Sequence, residues 1–305
     1  MRKRTRDGVK TGSGARGRAA LRLSIAVWYC LLPAAAIAQA PPGSAKAWTA
    51  KLTSDGQPDL QGFWTAEVGG TYDLTDPRGG EIRVEEVAQA ARGAVRQPKP
   101  SRIVEPRDGQ IPYQPWAAAK HQDLRANADN PTRPEHIDTQ NRCLPDGALR
   151  DLLHGGFRIV QVPGYVVFLG EENYGYRVVP LAARPHLGPD LKLWMGDSRG
   201  RWEGNTLVID VTNSNGKPRL DMVGNFYGES VHFVERLTPV GPDTFDYEVT
   251  VDDPAVYTKS WTLAARFKRA HADDYEFLED ACHEGEQSAD KMLIPAAAPQ
   301  NLEKR

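Results

Sequence analysis

From about residue 156 onward the chain repeats with a period of two, and turn residues cut it into short pieces. Side chains on a strand alternate between its two faces, so this pattern restricts the region to β-structure. Phe157–Val162 and Tyr165–Glu171 flank Pro163-Gly164, a hairpin signal. Tyr174–Leu181, Leu191–Met195 and Asn205–Val211 follow. Val231–Thr238 and Thr244–Val251 are separated by Pro239-Val-Gly-Pro-Asp243, and Tyr257–Lys268 and Tyr275–Glu279 complete the series. A run of eight or nine short strands is expected to form an antiparallel meander that closes into an all-β barrel, lipocalin-like or similar, because closure removes exposed edges. A sandwich is the second choice. The 28 Gly and 23 Pro argue against a helical bundle.

The region before the meander reads differently. Residues 41–145 form a Pro/Gly-rich arm with a short first strand near Pro58–Thr65 and two helices, Glu85–Arg96 and Trp116–Ala128, and this arm is expected to wrap the barrel at 146–290. Residues 291–305 read as a flexible tail. Residues 1–22 carry eight basic side chains and one acid, and residues 23–40 carry no charge. This layout matches a signal peptide over 1–40, with cleavage after Ala38 or Ala40, and implies a periplasmic or secreted protein without a membrane span after cleavage. A membrane anchor is the alternative; Pro33 interrupts its apolar stretch, which only just reaches spanning length. Residues 41–305 hold 30 basic and 39 acidic side chains, a net charge near −9, which argues against nucleic-acid binding. Once the leader is removed, Cys143 and Cys282 form an even pair, which in an oxidising compartment reads as a disulfide. Two free thiols, or Cys282 with His283 and Glu284 at a metal, are the alternatives. No second His or Cys stands at ligand spacing, so no metal is expected.

Two constellations carry ionisable residues. Trp194-Met-Gly-Asp-Ser-Arg-Gly-Arg-Trp-Glu203 has turn composition at Asp197–Gly200, yet it gathers Asp197, Arg199 and Glu203 around Trp194 and Trp202. A carboxylate near an apolar ring can become a general acid. In Val231–Thr238 one face carries Val231, Phe233, Glu235 and Leu237, and the other carries His232, Val234, Arg236 and Thr238. Each face mixes apolar and ionisable groups, which points to something polar inside the barrel. Glu171 and Arg177 fit the same pattern, and Tyr257 with Trp261 supplies aromatic wall. Interior Arg–Glu pairs tying strands together are the competing assignment for Arg177 and Arg236. His154 and His283 stand at strand ends. No nucleophile elbow, zinc-protease helix, phosphate loop, dinucleotide fingerprint or haem site is present in the sequence, so no cofactor is expected.

Gly196–Asp210, Glu235-Arg236-Leu237, Tyr247–Pro254, Trp261 and Cys282-His-Glu-Gly285 together resemble a family of exported bacterial proteins of uncharacterised function. Asn205 and Glu286 depart from its pattern, where Asp and Asn are expected. The resemblance implies export and a single domain, and no reaction. The expectation is an exported acid/base enzyme, a lyase, isomerase or hydrolase, acting on a small, partly apolar or aromatic molecule. Its catalytic set would be Glu203, Asp197, His232, Arg199 and Arg236, and its ligand wall Trp194, Trp202, Tyr257, Trp261, Glu171 and Arg177. The rival reading is a lipocalin-like carrier of an apolar ligand, to which Gly62-Phe-Trp64 also points. What fills the barrel discriminates the two.

Overall fold

The computed structural model describes residues 48–67, 72–75, 101–128, 130–172, 175–271, 275–277, 280 and 282. The leader, the helix expected at 85–96, His283 and the tail lie outside them. The described chain is a nearly closed antiparallel barrel of nine strands in the order β5-β4-β3-β1-β10-β9-β8-β7-β6. These are β1 (Gly62–Ala66), β3 (Gly156–Val162), β4 (Tyr165–Gly170), β5 (Tyr176–Pro180), β6 (Asp197–Glu203), β7 (Thr206–Thr212), β8 (His232–Gly241), β9 (Thr244–Asp252) and β10 (Trp261–Ala270). A tenth strand, β2 (Ile103–Glu105), pairs with β10 off this path. Two helices, α1 (Pro115–Ala126) and α2 (Arg150–Leu153), lie outside the sheet.

Period two accounts for most of the wall. At Val231, just before β8, and at Phe233, Glu235 and Leu237 on it the side chains are buried, while His232, Val234, Arg236 and Thr238 are partly exposed, so the mixed faces resolve into an inner and an outer one. The structure departs from the sequence reading in several places, one of them Tyr275–Glu279, whose described residues 275–277 form no strand. Asp197–Gly200 belongs to strand β6, and the hairpin turn falls at Gly204-Asn205, where Gly204 takes φ 60°. Leu191–Met195 makes only an isolated bridge, Leu193 with Ser214. Tyr257 precedes β10, held by a bridge to Tyr113 and by its hydroxyl donating to Phe226 O at 2.7 Å, so it does not share a strand face with Trp261. The turn composition of Asp197–Gly200 misleads because Gly200 serves packing here: a Cβ on it would lie 2.7 Å from Val179 Cγ1 and 2.9 Å from Leu181 Cδ2. β1, which lies within the segment expected to be an arm, is a wall strand between β3 and β10.

The barrel interior carries a cluster of aromatic rings. Phe157, Phe168, Phe245, Tyr247, Phe267 and Trp64 are all buried, and Phe267 meets Phe157, Phe245 and Tyr247 at ring-centroid distances of 5.3, 4.9 and 5.8 Å. Edge-to-face and offset contacts of this kind add to the burial of the rings. Among these rings one ion pair spans the lumen. Arg177 on β5 donates twice to Glu235 on β8, at 2.6 and 2.9 Å, and its guanidinium lies 4.7 Å from the Phe168 ring centre. Cys143 and Cys282 form a disulfide that closes a loop of 139 residues.

Eight antiparallel steps separate β5 from β6, so the two edge strands point the same way. They pack side by side through Val179, Leu181 and Gly200, and among the described residues no backbone hydrogen bond joins them. The barrel thus has one seam, and Arg177 and Glu235 link strands on either side of it. Removing one partner strands a buried charge. Glu235→Ala is expected to cost roughly 3–5 kcal/mol by urea unfolding, and the double variant Arg177→Met/Glu235→Leu should recover most of that loss. An additive double variant would contradict this role.

Candidate functional site

The seam carries a pocket. A cavity of about 330 Å³ is lined by Pro145, by Gly175–Val178 at the start of β5, and by Leu193–Gly196 just before β6. Its walls are largely apolar and aromatic, through Tyr176, Val178, Leu193, Trp194 and Met195, and Arg177 belongs to the lining as well. Arg177 and Trp194, both expected on a ligand wall, are therefore neighbours here. Few polar groups against an apolar wall is the usual composition of a small-molecule site.

A buried ionisable cluster lies directly behind Gly175. Asp151 on α2 packs so closely that a Cβ on Gly175 would stand 1.9 Å from its Oδ1, and one on Gly170 2.6 Å away. Glycine at these positions is what admits the carboxyl group. Burial, reinforced by the charge of Asp146, raises the Asp151 pKa to about 7, with Arg177 and His154 partly offsetting the rise. His154 Nδ1 lies 3.0 Å from Asp146 Oδ2 and 3.2 Å from Glu172 Oε2. Burial opposes protonation of His154, but the hydrogen bond to Asp146 and the charges of Glu172 and Asp146 outweigh it and raise its pKa. Arg150 grips Asp138 with two bonds of 2.9 Å, and Gln140 donates to Glu172 at 2.9 Å. The Cys143 disulfide fixes the loop that supplies Gln140 and Asp146. Among the described residues no group of three or more His, Cys, Asp or Glu has a geometry that could hold a metal ion.

The five residues expected to perform catalysis divide into two places. Asp197, Arg199 and His232 meet on the outer face of β6–β8 around two residues outside that set, His186 and Asp210. His186 reaches Asp197 through Nδ1 and Asp210 through Nε2, both at 2.8 Å; His232 reaches Asp210 at 2.9 Å; and Arg199 reaches Asp197 at 2.6 Å. Burial works against ionisation of Asp197, but hydrogen bonds from Leu187 N, His186 and Arg199 hold its pKa below the usual carboxylate value. Glu203 and Arg236 pair at 3.0 Å farther along the same strands, with Arg201 at 2.6 Å. Hydrogen bonds from these two guanidinium groups lower the pKa of the exposed Glu203, so it stays ionised and is a poor proton donor. Neither group lines the seam pocket.

The remaining ligand-wall residues are dispersed. Tyr257 and Trp261 are core residues in edge-to-face contact at 5.7 Å. Trp202 packs half-buried against the core. Glu171 accepts from Gly156 N at 3.3 Å and from the Tyr275 hydroxyl. The sequence reading missed Asp146, Asp151, Glu172 and His186. A one-turn helix has no periodicity to detect, although Asp146, Arg150 and His154 at steps of four do carry a helical signal.

No protein-family model matches this chain, and no curated protein matches it. Among solved structures, two secretory abundant heat soluble proteins from Ramazzottius varieornatus are similar in part. One has 11% identity, covering 38% of this chain and 70% of that one with a TM-score of 0.26. The other has 12% identity, covering 69% and 94% with a TM-score of 0.27.

The cluster makes stability depend on pH. Asp151 binds its proton more tightly folded than unfolded, so between about pH 4 and pH 7 the native state holds the extra proton and stability falls as pH rises. His154, also raised, loses its contribution in the same direction as pH passes its folded value. Asp221, pushed to about 6 chiefly by burial, adds to the lower part of the window. Urea midpoints should fall from pH 4.5 to 7.5, and Asp151→Asn should remove a share on the order of 4 kcal/mol, spread over the span from about pH 4 to pH 7. Equal pH slopes in both proteins would contradict the assignment.

Proposed function

We propose that this protein is an exported small-molecule binder that holds a compact, partly apolar or aromatic ligand at the β5–β6 seam. The observation carrying this reading is the contrast between a lumen packed with aromatic rings and an apolar, tryptophan-walled cavity of about 330 Å³ at the unpaired seam. Carriage fits better than acid/base catalysis because Asp197 and Glu203, the two carboxylates expected to move protons, have lowered pKa values and stand away from the pocket. The even cysteine pair, joined as a disulfide, supports export to an oxidising compartment, as does the basic leader followed by an apolar stretch.

The test is equilibrium dialysis of the protein with naphthalene, a neutral aromatic probe of suitable size. Binding should be saturable, with one site per chain. Trp194→Ala should weaken it roughly tenfold, a loss of about 1.4 kcal/mol, in keeping with removal of an aromatic wall. Trp116→Ala, at an exposed position on α1 outside the lining, should leave it unchanged. No saturable binding, or equal losses in both variants, would overturn the reading.

A further inference from the structure

Resting on the seam pocket as a binding site, we infer that its ligand carries a neutral carbonyl group, as a ketone, ester or amide does, and that this group passes between β5 and β6 to donors inside the barrel. Nine buried side-chain polar atoms have no hydrogen-bond partner among the described residues, and three of them belong to strands that face the lumen near the seam: Arg177 Nε on β5, Ser198 Oγ on β6 and the Tyr247 hydroxyl on β9. All three residues are more than nine-tenths buried. Native proteins rarely leave such groups unsatisfied, because each costs roughly 1–3 kcal/mol in lost hydration.

The sheet geometry gathers them. β5 and β6 run in the same direction, with Val179 and Leu181 both against Gly200, so Arg177 and Ser198 lie close to one level, each two residues back from that contact on the inward face. Glu235 pairs in register with Val249, two residues from Tyr247 on the same inward face of β9. Arg177, held to Glu235 by two hydrogen bonds, therefore brings Tyr247 and Ser198 around one end of the lumen, beside the cavity that Arg177 also lines.

The chemistry of the three atoms selects the occupant. Nε of arginine can only donate, and each hydroxyl has a proton to give, so the incoming group must accept. The Arg177 charge is already balanced by Glu235, so a carboxylate entering here would face Glu235 without a free cation to offset it. An uncharged carbonyl oxygen meets the donors without that repulsion. The route is the seam itself, where parting the strands breaks side-chain packing and no backbone hydrogen bond among the described residues.

Three matched probes separate this inference from the pocket reading: naphthalene, 2-acetylnaphthalene and 2-naphthoate, each titrated by equilibrium dialysis. The ketone should bind roughly tenfold more tightly than naphthalene, the gain expected of one or two net hydrogen bonds, and more tightly than the carboxylate. In Tyr247→Phe and in Ser198→Ala, conservative changes that remove one hydroxyl each, the ketone-to-naphthalene ratio should shrink to about threefold or less. Saturable naphthalene binding with no ketone preference would mean that the interior donors meet water only, and would overturn the inference while leaving the pocket intact. Tighter binding of the carboxylate would overturn the neutral-acceptor assignment. Failure of all three probes to bind would remove the pocket reading and this inference with it.

Discussion

The Arg177–Glu235 pair is the interaction on which the rest of the barrel depends. It is the one ion pair described within the aromatic lumen, and it links β5, a free edge, to β8 across the interior. Nine strands in an antiparallel meander leave the closing pair parallel, so β5 and β6 cannot complete the ladder in the manner of their neighbours. Closure falls instead to side chains: Val179 and Leu181 over Gly200, and the guanidinium reaching Glu235. A buried ion pair rarely adds net stability over an apolar replacement, but breaking it is costly. Its role is therefore to hold the barrel in a single closed arrangement while leaving the seam without backbone bonds.

The site follows from that compromise. A wall closed by packing leaves room at its margin, and the loop from β5 to β6 returns Leu193–Gly196 to form the second side of the pocket. Behind it, the disulfide-fixed loop and α2 bury Asp151, Asp146 and His154, whose shared environment raises the Asp151 and His154 pKa values. The outer-face network of His186, Asp197, Asp210 and His232 is a separate feature. It fastens the same loop to β6 and β7, together with Asn213 Nδ2, which donates to Gly188 O at 2.8 Å and Leu191 O at 3.0 Å.

Much of the wall was legible in the sequence, because alternation states directly which residues face inward once one face is buried. Val231, Phe233, Glu235 and Leu237 fell on one face for that reason, and the polar group in their midst was readable as an interior pair. The strand Asp197–Glu203 was hidden by its turn-like composition, since a glycine required for packing across the seam looks the same as one required for a turn. The site was less legible. Trp194 and Arg177 line one cavity, but their meeting depends on sheet closure between strands that share no local pattern. Asp151 and His186 lie in a single helical turn and a proline-containing loop, where neither periodicity applies.

The central claim is that the β5–β6 seam is the weakest line of the barrel wall and the place where ligand is held. Hydrogen exchange resolved by residue, with and without 2-acetylnaphthalene, tests it most directly. The account predicts that the seam-facing amides of β5 and β6 exchange by local opening, well before those of β8–β10, and that ligand slows exchange at 175–178 and 193–198 above all. Uniform protection around the barrel, or ligand-induced protection centred on another part of the surface, would contradict it.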